Sequence, residues 1–260
     1  MGLLLTTLHY IITAVYSIMP LHHPHSILLF GDSITQQGWG VDGEAGWVAM
    51  LADAYVRRAE VLNRGYSGYT TRHALQILPS MLPLPESVLF CTVHLGANDA
   101  ALPESLQHVP TEEYATNLQK MITSIRSQEG STCPIILLTP PPIDAERWRQ
   151  VFDDPKPNRT NESSRDYGNV VKEVAAAQSC LVLDVFTLLG GNGNCEDYTK
   201  NLRDGLHLSG SGNVLLFEGL SRLIHEEFPE LAPMVNGEGK YGDSGIPQEG
   251  LVWSDICAQK

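Results

Sequence analysis

The chain of 260 residues carries 17 Lys and Arg against 30 Asp and Glu, a net charge of −13 at pH 7. This balance argues against binding of nucleic acid or of anionic membrane surfaces, because both depend on Lys and Arg. Hydrophobic residues make up 43% of the chain and charged residues 18%, which excludes a disordered protein. Five widely spaced cysteines without a C-x-x-C pair predict reduced thiols and no metal site. We therefore expect a soluble globular protein that acts on a small molecule.

Residues 1–25 form an N-terminal extension ahead of the first predicted strand. Residues 3–19 are mostly apolar but interrupted by polar side chains, and the first Lys or Arg of the chain is Arg57. Neither a membrane-spanning helix nor a secretory signal is complete. We expect a dispensable extension and a cytoplasmic protein, with secretion or membrane anchoring through residues 1–19 as the alternative. The glycosylation sequons at Asn158 and Asn161 would matter only in the second case.

Residues 26–260 alternate short apolar runs with helical periods, which predicts one domain. The apolar runs are nearly continuous, as in strands that are buried on both faces of a parallel sheet. Strands are predicted at 26–30, 60–63, 88–95, 134–139 and 181–185. Helices are predicted at 47–58, 70–78, 163–178 and 211–228, and another is predicted to begin at a Thr111 cap. This order predicts an α/β fold, a three-layer α/β/α sandwich with a five-stranded, mainly parallel sheet. Residues 153–165 are predicted to be a surface loop, and residues 251–253 to dock back on the domain.

Polar motifs follow the predicted strands, at the edge of the sheet where ligands bind in open α/β folds. They are GDSIT at 31–35, NRGYSGYTT at 63–71, GAND at 96–99 and, after the last strand, DGLH at 204–207. Together they supply a hydroxyl, an imidazole, a carboxylate, a side-chain amide and Gly-rich backbone. Those groups are the components of acyl-transfer chemistry.

These four ordered motifs resemble those of the GDSL/SGNH hydrolases, and the surrounding residues are most similar to the isoamyl acetate-hydrolysing esterase branch. The resemblance implies a flavodoxin-like fold and a serine esterase that uses no cofactor and no metal. It implies Ser33, Asp204 and His207 as catalytic residues. It also implies an oxyanion hole formed by Ser33, Gly68 and Asn98.

Each residue type suits its implied role. The Ser33 hydroxyl is a poor nucleophile without a base, and the His207 imidazole can take its proton and return it to the leaving alcohol. Asp204 can accept from the far ring nitrogen, although Asp184 at the end of the fifth strand competes for this role. We expect a glycine at position 68 to permit close backbone approach, and Gly65 to serve turn geometry.

The residues outside the motifs favour simpler interpretations. His94 lies within the third predicted strand, and we expect it to pack in the core. Ala100 and Ala101 follow Asn98 and could form a small-residue wall beside an acetyl group.

We expect hydrolysis of short-chain carboxylic esters, acetates above all, through an acyl-enzyme on Ser33. The alternatives are a carbohydrate acetylesterase, or a lysophospholipase or thioesterase, with the same machinery. A non-catalytic binding protein of the same fold is a further alternative, and the complete set of five residues argues against it. The expected partner is a small-molecule ester, with no nucleic acid and no metal; the sequence leaves a homo-oligomer open.

Overall fold

A computed structural model describes residues 25–83, 85, 87–153, 155–193 and 197–232 of the chain. The predictions for residues 1–24 and 251–253, and for Cys195 and Cys257, lie outside these residues. Within the described ranges, no helix is both long enough and apolar enough to cross a membrane. Cys91, Cys133 and Cys180 are free thiols, the first two of them buried.

Five parallel strands form the central sheet, as predicted. They are β1 (Ser26–Gly31), β4 (Glu60–Gly65), β5 (Val88–His94), β6 (Ile135–Leu138) and β7 (Leu181–Leu183). The strand order is β4-β1-β5-β6-β7, and β2 (Gly40–Val41) and β3 (Glu44–Ala45) form a separate antiparallel hairpin. In the register of the sheet, Gly31 at the end of β1 lies between Gly65 of β4 and His94 of β5. The loops that follow these three strands therefore leave the sheet side by side.

Helices cover both faces of the sheet. They are α1 (Ser33–Gln36), α2 (Trp47–Ala54), α3 (Thr71–Met81), α4 (Thr111–Glu129), α5 (Ala145–Val151), α6 (Asn161–Gln178), α7 (Val185–Leu188) and α8 (Gly210–Glu227). Short 3₁₀ turns lie at Gln37–Trp39, Tyr198–Asn201 and Pro229–Leu231.

The core consists of two layers, one on each face of the sheet. The strand period of two sends Ile27 and Leu29 of β1 into one layer, and Leu28 and Phe30 into the other. The first layer packs against α2 and α8, and the second packs against α3, α4 and α6. All four of these side chains are fully buried. This arrangement is the predicted three-layer α/β/α sandwich.

The ends of several elements differ from the prediction because capping side chains set them. The fifth strand ends at Leu183, since the Asp184 side chain accepts from the Thr187 backbone N–H and begins α7. Helix α6 begins two residues early because Thr160 caps it. The predicted Thr111 cap is wrong, since Pro110 occupies the cap position and Thr111 is the first helical residue.

The polar segment 153–165 is not wholly a surface loop, which corrects the prediction. Its Arg159 side chain is only 3% exposed and donates from Nε to the Ala97 carbonyl over 3.0 Å. The segment therefore delivers a charged side chain into the protein beneath the GAND motif, a position that its composition did not indicate.

Candidate active site

Ser33 lies at the sharp junction between β1 and α1. The Asp32 side chain caps α1 by accepting from the Ile34 backbone N–H over 2.9 Å, so Ser33 is the first residue of the helix. Its side chain is nearly buried, with 3% of the residue exposed. The strand fixes the position of Ser33, and the cap fixes its orientation at the carboxyl edge of the sheet.

His207 and Asp204 join Ser33 in a continuous chain of hydrogen bonds. The Ser33 Oγ lies 2.8 Å from His207 Nε2, although the two residues are 174 positions apart. On the far side of the ring, His207 Nδ1 lies 2.7 Å from Asp204 Oδ2. The other carboxylate oxygen, Oδ1, accepts from the backbone N–H groups of Leu206 and His207 over 3.1 and 2.8 Å. The Asp204 carboxylate is thus held in one orientation, with Oδ2 facing the imidazole.

The environment of Asp204 favours its charged form. Burial by itself would raise the pKa of this carboxyl, but the hydrogen bond and charge of His207 and the two backbone N–H groups outweigh burial and lower the pKa to about 2. Asp204 is therefore ionised across the neutral pH range, as an orienting carboxylate must be.

Asp184, the alternative orienting carboxylate, faces other groups. Its Oδ2 lies 2.5 Å from Lys172 Nζ, and its Oδ1 accepts from the Thr187 backbone and from Thr139 Oγ1. The structure thus places Asp204, and not Asp184, against His207.

Gly68 and Asn98 flank Ser33 from the two neighbouring strands. Gly68 lies in the loop after β4, and Asn98 follows β5, so the strand order places Ser33 between them. The Gln107 side chain links the two flanks, with Nε2 2.9 Å from the Gly68 carbonyl and 3.1 Å from Asn98 Oδ1. Within the described part of the chain, the backbone N–H groups of Ser33 and Gly68 donate to no protein acceptor. These two backbone N–H groups, at neighbouring positions on the carboxyl edge of the sheet, are therefore available to a ligand.

Gly65, the last residue of β4, and Gly68, in the loop that follows, have the opposite roles from those expected. Gly68 has φ +78°, and a Cβ there would meet only Gln107 Nε2 at 3.8 Å, so glycine is needed for backbone conformation. Gly65 is where backbones approach closely, because a Cβ on it would lie 2.0 Å from the Gln36 backbone nitrogen. The absence of a side chain at Gly65 lets the end of α1 pack on β4.

Buried titratable residues lie next to the site residues in sequence. Burial raises the pKa of Asp32 to about 7. Burial likewise raises the pKa of Asp99 to about 6, against two hydrogen bonds from Thr71, whose backbone N–H and hydroxyl donate to Oδ1 over 2.9 and 2.5 Å. His94 is buried as expected, and desolvation lowers its pKa to about 4. The imidazole of His94 is therefore uncharged at neutral pH, in keeping with a packed core side chain.

Two polar residues that hold the loop after β4 were missed at the sequence level. Asn63 donates from Nδ2 to the Thr35 carbonyl over 2.8 Å and accepts from the Gly65 backbone over 2.9 Å. Gln36 accepts from the Ser67 backbone N–H over 2.7 Å. These bonds tie the Gly68 loop to the helix that begins with Ser33. The only sequence signal for this role was the position of Asn63 as the first residue of the second motif.

The expected small-residue wall is wrong. Ala100 is 2% exposed and packs in one of the two core layers. Ala101 borders a cavity of about 400 Å³ together with His108 and Tyr167, and none of Ser33, Asp204 or His207 borders it. Among the described residues, no three His, Cys, Asp or Glu side chains group so that they could hold a metal ion.

A hydroxyl, an imidazole and an ionised carboxylate in series, at the carboxyl edge of a parallel sheet, form the arrangement typical of serine hydrolases. Comparison with known proteins agrees with this class. Residues 29–215 match the family model of the GDSL-like lipase/acylhydrolase family. The chain is 40% identical over 212 residues to the isoamyl acetate-hydrolyzing esterase 1 homolog of Mus musculus, covering 79% of this chain and 83% of that protein.

Two further relatives extend the comparison. The isoamyl acetate-hydrolyzing esterase of Saccharomyces cerevisiae is 31% identical over 215 residues, which cover 79% of this chain and 88% of the yeast protein. The crystal structure of the lipase/acylhydrolase from Enterococcus faecalis superimposes with a TM-score of 0.60 at 29% identity, covering 78% of this chain and 96% of the bacterial one. The chain belongs to the GDSL-like lipase/acylhydrolase family, and it is an ester hydrolase.

Proposed function

We propose that the protein hydrolyses short-chain carboxylic esters, acetates above all, through an acyl-enzyme on Ser33. The observation that carries this proposal is the unbroken chain from Ser33 Oγ through His207 to Asp204, with hydrogen bonds of 2.8 and 2.7 Å. Both distances lie within the reach required of a nucleophile and its base.

In the first half of the reaction, the Ser33 hydroxyl passes its proton to His207 Nε2 as Oγ bonds to the ester carbonyl carbon. The carbonyl oxygen becomes an oxyanion that accepts from the Ser33 and Gly68 backbone N–H groups and from Asn98 Nδ2. Asp204 stabilises the positive imidazolium. The tetrahedral intermediate then collapses, the bond to the leaving oxygen breaks, and His207 donates its proton to that oxygen. An alcohol leaves, and the acyl group stays on Ser33.

In the second half, water takes the place of the alcohol. His207 accepts a proton from the water as its oxygen bonds to the acyl carbon, and the same three donors hold the second oxyanion. Collapse of this intermediate breaks the bond to Ser33 Oγ, which regains its proton from His207. The products are the carboxylic acid and the free enzyme, and no other reactant is consumed.

The preference for acetate esters of alkyl alcohols draws on the relatives and on the surroundings of His207. The mouse and yeast relatives are both named for hydrolysis of isoamyl acetate. Trp148 contacts the His207 ring edge-on, with ring centroids 5.6 Å apart, and Phe152 packs on Trp148 while remaining 58% exposed. An aromatic flank beside the proton donor suits an apolar leaving alcohol better than a sugar hydroxyl.

The experiment is a substrate panel on the full chain. It compares isoamyl acetate and p-nitrophenyl acetate, butyrate and octanoate with acetylated xylose, a lysophospholipid and an acyl thioester. We expect the highest kcat/KM for isoamyl acetate among the natural esters, and a fall from acetate to octanoate. A higher kcat/KM for acetylated xylose, the lysophospholipid or the thioester would overturn the substrate assignment and leave the nucleophile assignment intact.

The matched variants test the nucleophile itself. Ser33→Ala is expected to lower kcat for p-nitrophenyl acetate on the order of 10⁶-fold. Ser127→Ala serves as the control, because Ser127 is an exposed serine on α4 whose hydroxyl contacts only its own helix. Wild-type turnover in Ser33→Ala would refute the proposed function, and a chain with no turnover of any ester on the panel would favour the binding-protein alternative.

A further inference from the structure

A buried arginine outside the triad contacts the oxyanion side of the site. Arg159, in the loop before α6, is 3% exposed, and its Nη2 donates to Asn98 Oδ1 over 3.2 Å and to Gln107 Oε1 over 2.6 Å. Its Nε donates to the Ala97 carbonyl, the residue before Asn98, over 3.0 Å. One guanidinium thus holds both the backbone and the side chain of the GAND motif.

Gln107 forms the second arm of this contact. Its Oε1 accepts from Arg159, so its Nε2 faces the opposite way, toward the Gly68 carbonyl at 2.9 Å and Asn98 Oδ1 at 3.1 Å. The amide of Gln107 therefore bridges the loop after β4 and the loop after β5. It joins the two flanks between which Ser33 lies.

The chemistry of these donors fixes the orientation of the Asn98 amide. A guanidinium has only donors, so the Asn98 atom that faces Arg159 must be the oxygen. Both lone pairs of Oδ1 are then used, by Arg159 and by Gln107. The Asn98 Nδ2 group points the other way, donates one hydrogen to the Tyr69 carbonyl over 3.0 Å, and has no second acceptor among the described residues. One N–H of Asn98 is left for the substrate.

We propose that Arg159 and Gln107 are positioning residues that hold the Asn98 amide, and through it the oxyanion hole, in the productive orientation. Without them, the amide can rotate about its terminal torsion and present its oxygen to the developing oxyanion. A carbonyl oxygen there repels the oxyanion instead of donating to it. The buried positive charge of Arg159, hydrogen-bonded to the Asn98 amide oxygen, also polarises Nδ2–H and strengthens it as a donor. This role depends on the proposed function, because it acts on the oxyanion of the Ser33 reaction.

The test measures kcat and KM for p-nitrophenyl acetate in Arg159→Met and Gln107→Leu. Removing an oxyanion donor costs about 10²–10³ in kcat, and misplacing one costs part of this, so we expect a 10- to 100-fold fall in kcat with KM within about twofold. Arg165→Met is the matched control, because Arg165 lies nearby on α6 with 55% of its side chain exposed. It is expected to keep the wild-type kcat.

A double-mutant cycle separates positioning from a merely structural role. If Arg159 acts through Asn98, then Arg159→Met in an Asn98→Ala background lowers kcat by less than about threefold. An equal fall in both backgrounds, or a wild-type kcat in Arg159→Met, would overturn the proposal. If Arg159→Met fails to fold, Gln107→Leu carries the same comparison. Its effect should shrink in the Asn98→Ala background, because the contact of Gln107 with Asn98 is absent there and only its contacts with the Gly68 carbonyl and Arg159 remain.

Two further measurements distinguish a failure of the positioning role from a failure of the proposed function. Inhibition by an aryl trifluoromethyl ketone, which forms a tetrahedral oxyanion on the nucleophile, should weaken in Arg159→Met by the same factor as kcat/KM falls. Ser33→Ala is assayed in parallel. Full activity in Ser33→Ala would refute the proposed function, whereas its loss together with an unaffected Arg159→Met would refute the positioning role alone.

Discussion

Replacing Asp204 by Asn tests the orienting carboxylate through the tautomer of His207. In the native site, Oδ1 accepts from the Leu206 and His207 backbone N–H groups, and Oδ2 faces His207 Nδ1 at 2.7 Å. The D204N amide must keep its oxygen toward the two backbone donors, so its nitrogen faces Nδ1. Because that nitrogen can only donate, the ring proton moves to Nε2, which can no longer accept from Ser33 at 2.8 Å.

The expected loss follows from this blocked proton transfer. A triad whose imidazole is held in the wrong tautomer loses about 10⁴ in kcat. Each factor of ten corresponds to about 1.36 kcal/mol of activation free energy, so the barrier rises by roughly 5 kcal/mol. The KM should change little, since Asp204 is one residue removed from the reacting atoms.

The assay is steady-state hydrolysis of p-nitrophenyl acetate, with thermal melting to check the fold. Asp184→Asn is the control, because Asp184 contacts Lys172, Thr139 and Thr187 and the Asn side chain still caps α7. Its kcat should stay within about threefold of the wild type. A folded D204N enzyme with more than a tenth of the wild-type kcat would refute the tautomer argument.

Three further outcomes are expected. Asn98→Ala should lower kcat about 10²–10³-fold with KM nearly unchanged, and a change confined to KM would contradict an oxyanion role. Gly65→Ala should unfold at a lower temperature than Gly68→Ala. The new Cβ at position 65 would lie 2.0 Å from the Gln36 backbone nitrogen, whereas at position 68 it meets no close neighbour and only the positive φ is unfavourable. Equal melting temperatures would show the packing contact at Gly65 to be unimportant. Asp32 has its pKa raised from 3.8 to about 7, so the folded state holds a proton that the unfolded state loses, and stability should fall as pH rises through this window. The melting temperature of Asp32→Asn relative to wild type should therefore increase between about pH 4 and 7, and a constant difference would contradict the buried neutral carboxyl.

The sequence predicts the sheet because its three central strands, β1, β5 and β6, are nearly continuous apolar runs that are buried on both faces. A run such as residues 26–30 has no polar face, and only a strand covered by helices on two sides explains it. The polar motifs then fall at the ends of strands whose common direction follows from the βαβ order. That reasoning predicts that Ser33 and His207 share an edge of the sheet, and the structure brings their side chains within 2.8 Å.

What the sequence could not supply depends on the direction of individual side chains and backbones. Asp184 follows an apolar strand and Asp204 follows a polar segment, and neither setting shows which carboxylate faces His207. The capping bonds of Asp184 show that it points to α7. The different roles of Gly65 and Gly68 depend on close packing at the first and on backbone conformation at the second, neither of which the residue type reveals. Arg159 stands in a polar segment whose composition predicts exposure, and its burial depends on contacts with Ala97 and Asn98 far along the chain.

The most direct test of the whole account is to trap the acyl group on the enzyme. The full chain is mixed with p-nitrophenyl acetate, quenched in acid within the first turnover, digested and read by mass spectrometry. We expect an acetyl group on the wild-type peptide that contains Ser33 and none in Ser33→Ala. In Asp204→Asn, the yield of acetylated peptide should be larger if the substitution slows deacylation more than acylation. An acetyl group on any other side chain, with Ser33 unmodified under turnover, would contradict the central claim that this hydroxyl is the nucleophile.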